Sequence, residues 1–313
     1  MTQSPASSPV GAAAWALFIE AADLGSLSKV ALARGTSQPH ISRQIAALEA
    51  QCGGRLFQRH GRGVELTELG RRVAPKVRAW LASTEQLVND IRSSAGKPIG
   101  RVRLGILPSA AHPLVSTLYY RLREQHPGVQ LMVREGQGAQ LETWLEDGSL
   151  DLALLYRFHA QPRGGDEYLA EVPTWLVGAP GDALTAQATV PFAALNGLPL
   201  VTFCRPSRWR DRLDHVAAER GVALNVVLEA DSLGLQLQVA ADGGAHALLG
   251  RYAIEAALNE GRVQAARLVR PEVRRYTALA MAPHGELTLA CRTVMQALKA
   301  VAEDQATAAD HRA

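Results

Sequence analysis

Gln38, Ser42 and Arg43 carry side chains suited to the edges of nucleobases. A glutamine amide pairs bidentately with adenine, an arginine fork pairs with guanine, and a serine hydroxyl serves either base. The stretch that holds them, residues 37–48, reads SQPHISRQIAAL. Its Ile41, Ile45 and Leu48 recur at i, i+4 and i+7, one apolar helical stripe. At about 100° per residue the opposite side carries Pro39, Ser42, Arg43 and Ala46, with Gln38 projecting from the N-terminal end. A second basic set, Arg59 and Arg62, lies beside Gly61 and Gly63 and suits phosphates or a minor groove. Arg34 precedes the helix and Ser37 opens it.

These residues need elements to position them. Ser37 is expected to cap the helix with its hydroxyl, and Pro39 falls in the first turn, where a missing N–H costs little. A shorter helix over residues 26–33, apolar at Leu27, Val30 and Ala31, comes first. Arg34-Gly35-Thr36 makes the turn, with Gly35 free to take a positive φ. Two helices across such a turn form a helix-turn-helix pattern. Residues 55–67 then read as a short hairpin with arginines at its tip, a wing. Core packing of an amphipathic helix pair is the plainer alternative for the helices alone.

Phe18-Ile19-Glu20-Ala21-Ala22, Gly25-Ser26-Leu27, Ser37-Gln38-Pro39, Ile41-Ser42-Arg43-Gln44-Ile45, Leu48-Glu49, Arg55-Leu56-Phe57, Arg59 and Leu66-Thr67-Glu68-Leu69-Gly70 resemble the N-terminal domain of LysR-type transcriptional regulators. The match runs without a gap over about fifty residues, and the remainder resembles the same family more loosely. The resemblance implies a homodimer or tetramer on double-stranded DNA with an interrupted palindromic operator. It also implies a small-molecule effector held between two Rossmann-like α/β lobes.

Length and charge agree with this division. The 313 residues are enough for two or three domains. Residues 1–95 hold eleven Lys and Arg against seven Asp and Glu, +4, and the remainder holds 22 against 23, −1. The basic excess falls on the segment assigned to DNA. Cys52, Cys204 and Cys291 are far apart, with no metal spacing or CxxC, and read as reduced thiols in a cytoplasmic protein. No apolar run is long enough to span a bilayer. No cofactor or metal is expected.

The expected fold class is α/β with an N-terminal all-α winged helix-turn-helix. Residues 1–11 read as a disordered tail, 12–67 as the winged domain, 68–95 as a linker and dimerisation helix, and 96–99 as a hinge. Residues 100–172 with 271–305 read as lobe I, and 173–270 as lobe II. In the linker helix Leu69, Val73, Val77, Trp80, Thr84, Leu87 and Ile91 make a stripe that a second copy of the chain would cover, with packing on its own domain as the alternative, and Pro75 is expected to kink it. Strand, helix, strand, helix, strand over residues 101–156 predicts a parallel sheet covered on both faces.

Ligands of open α/β sheets bind beyond the carboxyl ends of strands. Ser109 lies there, at the start of a helix, with Gln137 at the end of the next strand. The family's effector role is carried to these two, and also to Thr202, Arg205 and His246. Arg205 would suit a carboxylate, which makes an anion one candidate effector. For Arg205 a surface role, for Ser109 helix capping, and for His246 core packing are the alternatives. The segment 239–250 departs from the family by ending in Gly250 rather than proline. The lobes look closest to regulators of nitrogen assimilation and ring-compound catabolism through GRVRLGILPSA and LPLVTFCRP.

Two other classes of function compete with this reading. A solute-binding module without gene control would share the two lobes, but not the first 95 residues. An enzyme finds no support, because no nucleophile elbow, phosphate loop, GxGxxG after a strand, or HExxH is present. Asp211, Asp214 and His215 on one helix read as a solvated face.

Overall fold

The computed structural model describes residues 10–61, 63–92, 96–112, 114–158, 165–283 and 287–310. The chain divides into two compact units. The first contains α1 (Ala12–Leu24), α2 (Leu27–Ala33), α3 (Gln38–Cys52), the hairpin β1 (Phe57–His60) and β2 (Gly63–Leu66), and α4 (Glu68–Arg92). Its core gathers Leu17 and Phe18 of α1, Val30 of α2, the Ile41/Ile45/Leu48 stripe of α3, and Leu56 and Phe57 at the hairpin. Ser26 caps α2 by accepting from the Lys29 N–H at 3.4 Å. Ser37 takes the capping position of α3, yet its hydroxyl makes no capping bond. The expected side-chain cap is therefore replaced: the Ser37 carbonyl accepts from the His40 and Ile41 N–H groups, and Pro39 in the first turn needs no partner.

The wing is fixed by its backbone. Gly63 has φ of 146°, and a Cβ there would collide with the carbonyl oxygen of Gly25. The same Gly25 oxygen accepts from the Val64 N–H at 2.9 Å, which holds β2 against the α1–α2 turn. Thr67 accepts from the Gly70 N–H at 3.0 Å and donates to the Arg55 carbonyl at 2.7 Å, so it caps α4 and ties it to the wing. α4 runs through Pro75 as one helix. Its apolar stripe is split. Ala74 and Val77 enter the core of their own unit, whereas Leu87 and Ile91 are 62% and 65% exposed. Only the second half of the stripe is thus left for a partner.

The second unit holds two mixed sheets. The first is built from β3 (Gly100–Ile106), β4 (Val129–Glu135), β5 (Leu152–Arg157), β6 (Glu167–Val172) and, after a long excursion, β13 (Arg275–Met281). Its order is β4-β3-β5-β13-β6, with β3 parallel to both β4 and β5 and β13 antiparallel to its two neighbours. The helices of this lobe are α5 (Pro108–Ala111), α6 (Leu114–Gln125), α7 (Gly138–Glu146) and the last helix, α11 (Leu289–Asp310). The second sheet has order β10-β9-β11-β7-β12-β8. Its strands are β7 (Thr174–Gly178), β8 (Thr189–Pro191), β9 (Pro199–Thr202), β10 (Asn225–Glu229), β11 (His246–Gly250) and β12 (Gln264–Val269). α8 (Arg208–Arg220), α9 (Leu233–Ala241) and α10 (Arg251–Asn259) complete it.

The parallel sheet expected from residues 101–156 is the parallel half of a mixed sheet, because β13 returns to it. β6, β8 and α5 carry no strong periodic signal. β8 has three residues and α5 four, and the first four residues of β6 are all half-buried, with no alternation between faces.

Candidate DNA interface and effector cavity

On α3, Gln38, Pro39 and Arg43 are exposed and Ser42 is half-buried, on the side away from Ile41 and Ile45. The wing reaches this face. Arg59 Nη2 donates to Ser42 Oγ at 2.6 Å, which leaves the serine proton available to a further acceptor. Glu49 Oε1, at the other end of α3, accepts from the Leu56 and Phe57 N–H groups at 2.8 and 2.9 Å. Helix and wing are thereby held in one register. Arg34 ends α2 and donates through Nε to Glu20 at 2.6 Å, so part of its charge is neutralised locally. Ser37 is exposed beside it. Arg62 lies outside the described residues.

In the second unit a cavity of about 220 Å³ opens between the two lobes. Of the sequence candidates, Ser109 and Gln137 line it. Ser109 is buried in α5, with its Oγ 3.5 Å from the Tyr156 hydroxyl. Thr202, Arg205 and His246 do not line it. Thr202 ends β9 with its hydroxyl buried and unpartnered among the described residues. Arg205 is engaged by Asp211, at 2.9 Å, and by Asp214; of these three only Asp211 lines the cavity. His246 Nε2 sits 3.1 Å from Asp182 on the far side of lobe II. Burial pushes the Asp182 carboxyl up, but bonds from the Thr185 N–H and hydroxyl and from His246 outweigh it and hold the pKa below its usual value.

Sequence reasoning missed the groups that dominate the cavity. Arg157 of β5 binds Glu142 and Asp166, each at 2.6 Å. Arg208 at the start of α8 reaches across to the same Glu142, also at 2.6 Å, and so links the lobes. Trp209 stacks near Phe158, with ring centroids 6.1 Å apart. Arg275, the first residue of β13, is 2% exposed and lies 4.1 Å from the Trp209 ring centroid and 5.0 Å from that of Tyr156. Among the described residues its Nε and Nη2 have no hydrogen-bond partner, and burial pushes its pKa down. One sequence signal existed: Arg275, Thr277 and Leu279 share the inward phase of a strand, and a charge on that phase is unusual.

No group of three metal-ligating side chains is present among the described residues, and no helix among them is long and apolar enough to cross a membrane.

Residues 13–71 match the family model for the bacterial regulatory helix-turn-helix protein, lysR family. Residues 95–303 match the LysR substrate binding domain. A probable hydrogen peroxide-inducible genes activator of Streptomyces viridosporus is 30% identical over 282 residues, 86% of this chain and 89% of that protein. The nitrogen assimilation regulatory protein nac of Escherichia coli K12 is 24% identical over 291 residues, 91% and 92% of the two chains. The structure of a full-length OxyR variant from Pseudomonas aeruginosa superposes with a TM-score of 0.70 at 19% identity, covering 94% of this chain and 95% of that one.

Proposed function

Because this chain belongs to the LysR family and is a transcriptional regulator of that type, with a helix-turn-helix DNA-binding domain and an effector-binding domain, we propose which of its residues do the work. Gln38, Pro39, Ser42 and Arg43 read base edges in a major groove. Arg34, Ser37, Arg59 and Arg62 hold the flanking phosphates or the minor groove. The observation that carries this reading is the bond from Arg59 to Ser42, which joins the wing to the exposed face of α3. The cavity lined by Ser109 and Gln137 takes the effector, which acts by binding one arrangement of the lobes better than another. The cross-lobe pair of Arg208 with Glu142 is a contact that closure would make and opening would break.

The chain works as a homo-oligomer, paired through the exposed Trp80, Leu87, Val88 and Ile91 of α4. We read the domain limits as 12–67, 68–95 and 96–99, with lobe I formed by 100–172 and 271–305 and lobe II by 173–270. We further read it as a cytoplasmic, non-catalytic protein.

The Streptomyces relative is named for peroxide induction, which raises thiol chemistry as a second reading. The thiols here do not favour it. Burial and the neighbouring Asp231 and Glu229 push Cys204 above its usual pKa, and burial pushes Cys291 up to about 11. A reactive cysteine needs the opposite shift.

The test is an electrophoretic mobility shift with DNA from upstream of the protein's own gene. Retardation that Arg43→Ala weakens at least tenfold supports the reading. No retardation of the wild-type protein at low salt would overturn it.

A further inference from the structure

We infer that the cavity takes a small organic carboxylate whose anionic end pairs with the Arg275 guanidinium on its floor. This rests on the reading of the cavity as the effector site and names the chemical class of its ligand.

A buried cation without a counter-charge is costly, because the interior does not replace the hydration it loses. The Trp209 and Tyr156 rings offset part of that loss through their negative faces. They leave Nε and Nη2 without a hydrogen-bond partner among the described residues. The other two cavity arginines differ. Arg157 is neutralised by Glu142 and Asp166, and Arg208 by Glu142. Asp211, which also lines the cavity, is paired with Arg205. Among the described residues the cavity therefore presents one unmatched positive charge, and a ligand that answers it carries one negative charge. A carboxylate meets a guanidinium fork edge to edge with two parallel bonds.

Gly250 shows that room is kept for this group. A Cβ at that position would stand 3.3 Å from Arg275 Nη2 and 3.0 Å from Val172. The departure at the end of β11 and the arginine at the start of β13 belong to one local arrangement. The size of the ligand follows from the space. A cavity of about 220 Å³ has room for a small organic ion. The Trp209, Phe158 and Phe203 walls favour an apolar body behind the charge.

The test is calorimetric titration of the full chain with acetate, hexanoate and benzoate, with their three matched amides, and with inorganic phosphate. The expected result is that at least one carboxylate binds ten or more times tighter than its amide. Arg275→Met should abolish that preference and Arg275→Lys should keep part of it. Should Arg275→Met fail to fold, Gly250→Ala takes its place; it crowds Nη2 with the charge intact and should weaken carboxylate more than amide. The proposal is overturned if amides match their carboxylates, if phosphate outbinds every carboxylate, or if Arg275→Met binds like the wild type. In those cases the cavity still stands as the effector site. If neither carboxylates nor amides nor phosphate bind the wild-type protein, the cavity assignment falls as well.

Discussion

On the outer face of α3 the cationic and polar groups stand in water, whereas on the floor of the lobe cavity a guanidinium is buried at 2% exposure with no carboxylate bonded to it among the described residues. Arg43 keeps its hydration until a polyanion displaces it, so each contact on that face contributes modestly and many are needed. Arg275 has already lost its hydration, so a single ligand charge can restore a large part of what burial removed. The DNA side is built to sum weak, exposed contacts. The cavity concentrates its selectivity in one.

The sharpest way to break this contrast is to damage the frame of one unit while sparing the other. Gly63→Val places a branched side chain at φ of 146° and drives its Cβ into the Gly25 carbonyl. The expected loss is about 3 kcal/mol or more, confined to the winged unit. Hydrogen exchange should show faster opening across α1–β2, with the amides of β3, β5 and β13 unchanged. Uniform loss of protection in both units would mean that they are not separately stable.

Next in size is the response of the unliganded protein to Arg275→Met. Removing an unmatched buried cation while retaining an apolar stem should raise stability by ~1–3 kcal/mol. Denaturant unfolding, followed by the fluorescence of Trp209 and its neighbours, measures it. Arg43→Ala should leave the same midpoint unmoved. A destabilised Arg275→Met protein would mean that the two ring faces already compensate the charge.

The same contrast governs what could be read from the sequence. The Ile41/Ile45/Leu48 stripe, the turn at Gly35 and the hairpin all lie within forty residues, and their contacts are local, so periodicity and turn chemistry exposed them. The cavity joins residue 109 to residue 275. Only the return of β13 to the first sheet brings them together, and no local pattern encodes a crossover of that length. Arg205 illustrates the reverse error. It lies near the carboxyl end of β9, where a ligand group is expected, but Asp211 and Asp214 one and two turns along α8 capture it. The α4 split has a similar origin, since spacing sets a second copy against the home unit as partners but cannot say where along the stripe one gives way to the other.

Arg43→Ala and Arg205→Ala together sharpen the comparison at the level of ligands. Arg43→Ala should cost at least tenfold in DNA affinity, about 1–3 kcal/mol for a lost base-edge contact, with the affinity of the cavity ligand unchanged. Arg205→Ala should leave both affinities within twofold, because its guanidinium faces two carboxylates rather than the cavity. Fluorescence anisotropy on labelled DNA reads the first and calorimetry the second. A tenfold loss of cavity binding by Arg205→Ala would return that arginine to the ligand site.

The smallest effect concerns Asp182, which lies away from both faces. Its folded pKa is depressed, so it contributes stability above its unfolded value and loses that contribution as pH falls through the folded one. The window therefore lies below about pH 4. Partial exposure of the pair with His246 limits the size, to roughly 0.5 kcal/mol. Asp182→Asn should flatten the acid limb of the stability curve by this amount and leave DNA binding and cavity binding at neutral pH unchanged. If the variant instead lost cavity affinity at pH 7, the far edge of lobe II would be coupled to the ligand, and the cavity could no longer be treated as concentrating its selectivity on its own floor.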